Sequence, residues 1–199
     1  MTDKLARAKL ARAAAALNPR SRLPALVLMT DDERLADPLA AARALPRGSM
    51  VVLRARQNSR RAKLAAELRA ITRTAGTKLL IANDAGLAAR IGADGIHLSQ
   101  ANAKQAAHWR ALHPHWIITA AAHSLAACHA PFADALFIAP VFSTRSHAGG
   151  KFLGAMQLRV IARQVLRPVY ALGGIDASSA ANLAGATLAG LAAIGALAV

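Results

Sequence analysis

The sequence is poor in cysteine and in aromatic residues. Its 199 residues include one cysteine, and Phe, Trp and Tyr together make up 4% of the chain. A lone cysteine, Cys128, forms no internal disulfide, so we predict a reducing compartment, the cytoplasm. The shortage of aromatic rings argues against a single-strand nucleic-acid binder, because such proteins stack bases on those rings.

Acidic residues are also scarce, with 10 Asp and Glu against 25 Lys and Arg and a formal charge of +15. Clustered basic residues bind nucleic acid by releasing counterions from its phosphates. Here the arginines are scattered over alanine-rich segments, so we expect a small anionic substrate and no nucleic-acid partner. Hydrophobic residues make up 55% of the chain, which excludes disorder and predicts one globular domain over residues 1–199.

Both ends of the chain are rich in alanine. The first segment lacks the serine enrichment of a transit peptide and contains an early acid, which favours an N-terminal helix over residues 1–22. Residues 177–199 carry no charge and are long enough to span a bilayer. Because they are mostly alanine with interspersed polar residues and glycines, we predict a helix followed by a buried strand and no membrane partner. A tail anchor is the alternative.

Eight short apolar runs, each bounded by turn residues, predict strands that alternate with helical segments. They cover residues 25–30, 49–55, 78–84, 94–100, 116–123, 135–142, 168–175 and 188–197. Nearly continuous apolar strands indicate a parallel sheet covered by helices on both faces. Eight units predict a single-domain (β/α)₈ TIM barrel with an extra N-terminal helix, and an open doubly wound sheet is the alternative.

In such a barrel the chemistry lies in the loops that follow the strands. Arg54 and Arg56 in "LRAR" offer guanidinium groups for an oxyanion, or form a solvated basic edge. Asp84 in "IAND" is a candidate ligand for Mg²⁺, although an acid there also caps helices. His123 is a candidate general acid or base, or a structural histidine. The glycine pair at 173–174 lets backbone amides approach a phosphate, or merely makes a turn.

Taken together and in order, the segments "LRAR", "IAND", "GADGIHLSQ", "AAAHS", "APVFSTRSH", "PVYALGGI" and "GLAAIGAL" resemble the strand-end motifs of the thiamine phosphate synthase and thiazole tautomerase family. The resemblance runs from about Leu26 to the C-terminus. It implies a (β/α)₈ barrel acting in thiamine biosynthesis. A transferase of this family joins hydroxymethylpyrimidine diphosphate to thiazole phosphate and releases diphosphate with Mg²⁺ bound.

The resemblance also assigns roles to individual residues of this chain. The implied catalytic residues are Arg54, Arg56 and His123. The implied metal ligands are Asp84 and Asn102. The implied substrate and phosphate contacts are Asn83, Thr144, Ser146, His147, Lys151, Gly173, Gly174, Ile194 and Gly195.

Five positions depart from the family pattern. Val52 replaces a glutamine, Arg56 a lysine, Asn102 a metal-binding aspartate, Ala121 a serine and His147 a phosphate-facing lysine. A neutral amide oxygen is a weaker ligand for a hard dication than a carboxylate, which places the Mg²⁺ site in doubt.

These departures leave two alternatives to the synthase open. One is a thiazole tautomerase that uses His123 for proton transfer, and the other is a drifted paralogue that binds a different phosphorylated ligand. The sequence leaves the oligomeric state open as well, and a homo-oligomer is compatible with it.

Overall fold

The computed structural model describes residues 3–18, 21–54, 58–128, 132–144 and 150–199. Eight parallel strands close into a barrel in which each strand pairs with its sequence neighbours and the eighth pairs with the first. The strands are β1 (Leu26–Met29), β2 (Met50–Leu53), β3 (Lys78–Ala82), β4 (Gly95–Leu98), β5 (Ile117–Ala122), β6 (Ala135–Ile138), β7 (Val169–Leu172) and β8 (Gly190–Ala193). The predicted TIM barrel is confirmed, and the open sheet is excluded.

The structure describes six α-helices, four of which have 11 residues or fewer, and this shortness helps eight units fit into 199 residues. They are α1 (Asp3–Leu17), α2 (Pro38–Arg43), α3 (Asn58–Ala75), α4 (Ala85–Arg90), α5 (Ala106–Leu112) and α6 (Gly154–Gln164). Short 3₁₀ turns follow β5, β7 and β8, at Ala126–Cys128, Ser179–Leu183 and Gly195–Leu197.

Alternation along each strand divides the apolar side chains between two layers. Val27 and Met29 of β1 belong to the cluster inside the barrel, whereas Leu26 and Leu28 pack with the surrounding helices. The interior also holds the stacked rings of Phe137 and Tyr170, whose centroids lie 4.6 Å apart. The interior of the barrel is therefore filled by apolar side chains.

Two of the few carboxylates in this chain stabilise the end of the barrel where the strands begin. Asp94, just before β4, accepts hydrogen bonds from the Leu79 amide at 2.9 Å and from Arg69 at 2.7 Å. Asp134, just before β6, binds the Ile118 amide at 2.8 Å in the same way. These acids connect neighbouring strands at the N-terminal rim, far from the loops expected to carry the chemistry.

The alanine-rich ends of the chain meet along the barrel wall. Helix α1 packs on β1 and β8, and the Leu17 carbonyl accepts a hydrogen bond from the Leu188 amide. The candidate anchor segment 177–199 instead contributes a 3₁₀ turn of 5 residues, where a helix was predicted, and then the predicted buried strand, β8. Among the helices of the described ranges, none is both long enough and apolar enough to cross a membrane.

Candidate active site

A cavity of about 380 Å³ opens at the C-terminal ends of the strands. Six of the residues predicted for the site line it: Arg54, Asn83, His123, Thr144, Gly173 and Ile194. A neighbouring cavity of about 680 Å³ is lined by Gly174 and Gly195, and it shares Thr144, Gly173 and Ile194 with the first. The barrel therefore brings together eight predicted residues that are up to 141 positions apart in the sequence.

The remaining predicted residues fall into two groups. Asp84, Asn102 and Lys151 are described and line neither cavity. Arg56, Ser146 and His147 lie outside the described residues, so their predicted roles stay predictions.

His97, from β4, and Phe137, from β6, lie on the cavity wall above the core. The imidazole is 5% exposed, meets the Phe137 ring edge-on at 4.9 Å, and has Nδ1 2.9 Å from the Thr119 hydroxyl. Burial, with a smaller contribution from the Arg54 charge, lowers the pKa of His97 to about 4. His97 is therefore neutral near pH 7.

Asp31, two residues past the end of β1, holds two arginines. The carboxylate accepts two hydrogen bonds from Arg34, from Nη2 at 2.7 Å and from Nε at 3.1 Å, and it also pairs with Nη2 of Arg54. The hydrogen bonds from Arg34 and then from Arg54 hold the pKa of Asp31 well below its usual range, against the opposing effect of burial. Because Nη2 of each arginine binds the same oxygen, the two guanidinium groups lie side by side at the cavity wall.

Arg61 brings a third guanidinium to the cavity from the first turns of α3. Its Nη2 donates to the carbonyl oxygen of Ala82 at the end of β3. Its Nε is buried and has no hydrogen-bond partner among the residues that the structure describes. The side chain is thereby held against the wall between β2 and β3.

Asn83 has a backbone φ of +52°, a conformation that asparagine tolerates better than most residues. Its Oδ1 accepts hydrogen bonds from the Ser99 amide at 2.8 Å and from Nδ2 of Asn102 at 3.1 Å. The Ser99 amide can only donate, so it fixes which side-chain atom of Asn83 is the oxygen. What Asn83 can still offer a ligand is its NH₂ group, a donor suited to phosphate oxygens.

Asp84 caps α4, since its Oδ1 accepts a hydrogen bond from the Leu87 amide at 2.8 Å. The capping interpretation of "IAND" thus describes what this carboxylate does in the fold. Among the described residues, no three His, Cys, Asp or Glu side chains are grouped so as to hold a metal ion. The predicted ligand Asn102 is a hydrogen-bond donor to Asn83.

His123 follows β5 and is exposed at the cavity. Its Nδ1 lies 2.7 Å from the carbonyl oxygen of Ala139, and its backbone amide donates to Oε1 of Gln100 at 2.9 Å. A carbonyl oxygen only accepts, so Nδ1 carries the proton and Nε2 of the neutral ring is the basic nitrogen. This geometry allows His123 to accept a proton or a hydrogen bond from a ligand.

The loops after β6 and β7 lie against each other at the second cavity. The backbone amide of Phe142 donates to the carbonyl of Gly173 at 3.0 Å. Gly174 has a φ of +66°, and a Cβ there would lie 2.5 Å from the carbonyl oxygen of Ser143. Only glycine allows this close approach, which supports the predicted need for glycine at this loop.

The sequence interpretation missed Arg34 and Arg61 as site residues, and it placed His97 at the strand-end rim without giving it a role. The signal for His97 was present, because it lies in "GADGIHLSQ" near a strand end. Arg34 and Arg61 lie five and eight residues beyond the last residues of β1 and β2, Met29 and Leu53. Only the course of the β1 loop and the first turns of α3 brings them back to the cavity.

Fold and site define the class as a single (β/α)₈ barrel with a cationic cavity at the C-terminal ends of its strands. A family model described as thiamine monophosphate synthase matches residues 26–197. The chain therefore belongs to the thiamine monophosphate synthase family.

Similar proteins agree with this membership. The chain is 34% identical over 125 residues to the thiamine-phosphate synthase of Methanoregula boonei, covering 61% of this chain and 58% of that protein. It is 31% identical over 137 residues to the thiamine-phosphate synthase of Chloroflexus aurantiacus, covering 67% and 63%. The matched region thus spans less than two thirds of the length of these curated relatives.

A solved structure shares the fold. Thiamine phosphate pyrophosphorylase from Pyrococcus furiosus superposes with a TM-score of 0.70 at 24% identity, over 85% of this chain and 84% of that one. The structural similarity extends through the barrel, and at this sequence identity it shows a shared fold but not a shared activity.

Proposed function

We propose that the chain catalyses the thiamine phosphate synthase reaction, in which hydroxymethylpyrimidine diphosphate and thiazole phosphate combine and diphosphate leaves. The observation that carries the proposal is the pair of adjoining cavities. Arginines from three elements line the first, the loops after β7 and β8 line the second, and Arg34 lies on both. A synthase has to hold two phosphorylated substrates in contact, and two adjoining cavities provide a place for each, although Glu33 and Asp176 also line the second. Family membership supports the same reaction.

The first cavity suits the diphosphate. The reaction breaks the bond between the pyrimidine methylene carbon and the diphosphate oxygen, and it then forms a bond from that carbon to the thiazole nitrogen. Negative charge grows on the departing diphosphate, so donors already in place stabilise the transition state. Arg54 and the NH₂ group of Asn83 are the donors that we assign to this step.

The second cavity suits the thiazole phosphate. Gly173 and Gly174 line it with positive φ, a backbone conformation that can turn amides toward an anion, and Thr144 adds a hydroxyl at the junction of the two cavities. Ile194 and Gly195 lie across from them after β8. We assign these residues to the phosphate, and we keep Lys151 as a contact made from the loop after β6.

Two histidines complete the proposed site. Departure of the diphosphate leaves positive charge on the pyrimidine methylene carbon, and His97, whose pKa is lowered by burial, adds no charge that opposes it. His123 offers Nε2 to a substrate proton. The relatives reported above are named as synthases, and we therefore do not extend the tautomerase hypothesis.

The family implies Mg²⁺ as a cofactor, and binding of this ion requires suitable oxygen ligands at the site. Mg²⁺ is held in proteins by one or two carboxylates together with substrate phosphates and water. The only carboxylate predicted as a ligand is Asp84, which caps α4, and Asn102 is a neutral amide that donates to Asn83. This donor set does not fit a dedicated magnesium site, and we route no step through the metal.

The proposed partners are the two small phosphorylated substrates, and the proposed location is the cytoplasm. Both proposals follow from the family reaction and from the single cysteine, which is buried and free.

The test is product formation from both substrates, followed by mass spectrometry. The wild-type chain should form thiamine phosphate and release diphosphate in equal amounts. Arg54→Gln should lower kcat/KM by on the order of a hundredfold. Arg43→Gln, an exposed arginine on α2 that lines neither cavity, is the matched control and should keep wild-type activity. Absence of product above the rate without enzyme, with folded protein and Mg²⁺ supplied, would overturn the proposal.

A further inference from the structure

We infer that Arg34 and Arg61, together with Arg54, form an arginine cluster that binds the diphosphate group directly, so that binding requires no metal ion held by the protein. The inference rests on the proposed function, because it concerns the diphosphate half of the same site. It assigns two binding residues, Arg34 and Arg61, that the family motifs do not contain.

The charges on the cavity wall support an anion rather than a cation. Three guanidinium groups line the first cavity, and no carboxylate lines it in the part of the chain that the structure describes. The nearest acid is Asp31, whose side chain is 12% exposed and which is paired with Arg34 and Arg54. Asp31 carries one negative charge against the two positive charges of Arg34 and Arg54, Glu33 adds a weaker attraction to Arg34, and a bound anion adds further negative charge to this balance.

The cluster is assembled in advance of binding. Arg34 and Arg54 bind the same oxygen of Asp31, so neither side chain has to be brought from solvent to the cavity. Asp31 offsets part of the repulsion between these two guanidinium groups, and a second anion that contacts both offsets more of it. Guanidinium forks also match the paired oxygens of a diphosphate.

Arg61 extends the cluster to the neighbouring wall. Its contact with the Ala82 carbonyl fixes one end of the guanidinium, and the buried Nε keeps an unused donor among the described residues. Because Nε is enclosed, an anion in the cavity contacts Arg61 through its terminal nitrogens, one of which already donates to Ala82. Arg61 lies near Asn83, which follows Ala82 directly and presents its own NH₂ group, so both side chains offer donors to one anion.

The residues at the metal-ligand positions of the family pattern do not provide a metal site that could neutralise the diphosphate in place of the arginines. Asp84 and Asn102 line neither cavity, and each makes a hydrogen bond within the fold. Charge neutralisation of the diphosphate therefore falls to side chains that reach the cavity, and these are the three arginines.

Calorimetric binding of inorganic diphosphate tests the inference without turnover. The wild-type chain should bind diphosphate in EDTA. Arg34→Gln and Arg61→Gln should each weaken that binding by on the order of tenfold to a hundredfold. Arg43→Gln, the exposed control on α2, should bind as the wild type does. Arg34→Lys and Arg61→Lys keep the charge but lose the planar fork, so they should recover part of the affinity.

Urea unfolding of every variant establishes that the protein titrated is folded. If a Gln variant fails to fold, its Lys counterpart carries the test, since it should still bind diphosphate less tightly than the wild type. Binding that appears only after Mg²⁺ is added, or Gln and Lys variants of both arginines that bind as tightly as the wild type, would overturn the inference.

The result of the diphosphate-binding experiment can be distinguished from the result of the activity assay. A wild-type chain that makes thiamine phosphate but binds diphosphate only with Mg²⁺ refutes the arginine cluster alone. A chain that binds diphosphate through Arg34 and Arg61 but forms no product refutes the synthase proposal and leaves the cluster in place.

Discussion

Buried His97 makes the stability of the barrel depend on pH. Its imidazole lies between Thr119 and Phe137, where the neutral ring is well accommodated and the protonated ring is not. Burial lowers its pKa to about 4 in the folded chain, against 6.5 for an unperturbed histidine. The unfolded chain therefore takes up a proton at a higher pH than the folded chain does.

The free energy of unfolding should decrease as the pH falls below 6.5. Above pH 6.5 both states are neutral at this residue, and the barrel has its full stability. As the pH falls from 6.5 towards 4, protonation favours the unfolded chain, and the free energy of unfolding decreases by about 1.4 kcal/mol per pH unit. The total loss across this interval is about 3 kcal/mol, and below it the contribution of His97 is constant.

Urea unfolding between pH 4 and 7.5 measures this dependence, and the variant His97→Gln removes it. His115→Gln, at an exposed histidine in the turn before β5, is the matched control and should unfold with the wild-type pH dependence. Other titrating groups, including Asp31, cancel in the difference between wild type and variant. NMR titration of the His97 ring reports its pKa directly.

One result would refute the reasoning. If wild type and His97→Gln lose stability equally as the pH falls from 6.5 to 4, then the folded chain protonates His97 as readily as the unfolded chain does. The ring would then be hydrated, and the proposal that a neutral His97 lies beneath the substrate would lose its basis.

Three further predictions concern stability, each measured by urea unfolding. Asp84→Ala should cost about 1 kcal/mol through loss of the α4 cap, and Asp84→Asn should cost less because asparagine also caps; equal losses would contradict the capping role. Gly174→Ala should cost about 1–3 kcal/mol more than Gly185→Ala, because both have positive φ but only Gly174 has close neighbours. Phe137→Ala should cost about 3–5 kcal/mol by leaving a cavity beside Tyr170, and a loss under about 1 kcal/mol would mean that the interior collapses around it.

The barrel could be predicted because the sequence pattern of a buried strand is local and occurs eight times. Each of the eight apolar runs is bounded by turn residues, and burial on both faces of a parallel strand requires side chains that are apolar throughout. The predicted runs extend past the observed strands at several ends. The run 135–142, for example, continues beyond β6, where Phe142 instead pairs with the carbonyl of Gly173.

Part of the site was predictable for a related reason. The ends of parallel strands meet at one rim, so residues that directly follow strands, such as Arg54, Asn83 and His123, were expected to lie together. All three line the first cavity. The rule fails for side chains that reach the rim from farther along a loop or helix.

The sequence by itself determined the eight-unit barrel, the rim that carries the chemistry, and the family, because these depend on patterns of adjacent residues. Only the tertiary structure decided that Asp31 joins Arg34 to Arg54 and that Arg61 turns back from α3 to the carbonyl of Ala82. Each of these depends on the direction of a side chain and on a partner distant in sequence. Which of these groups meet depends on how the whole chain folds, and no local sequence pattern encodes these contacts.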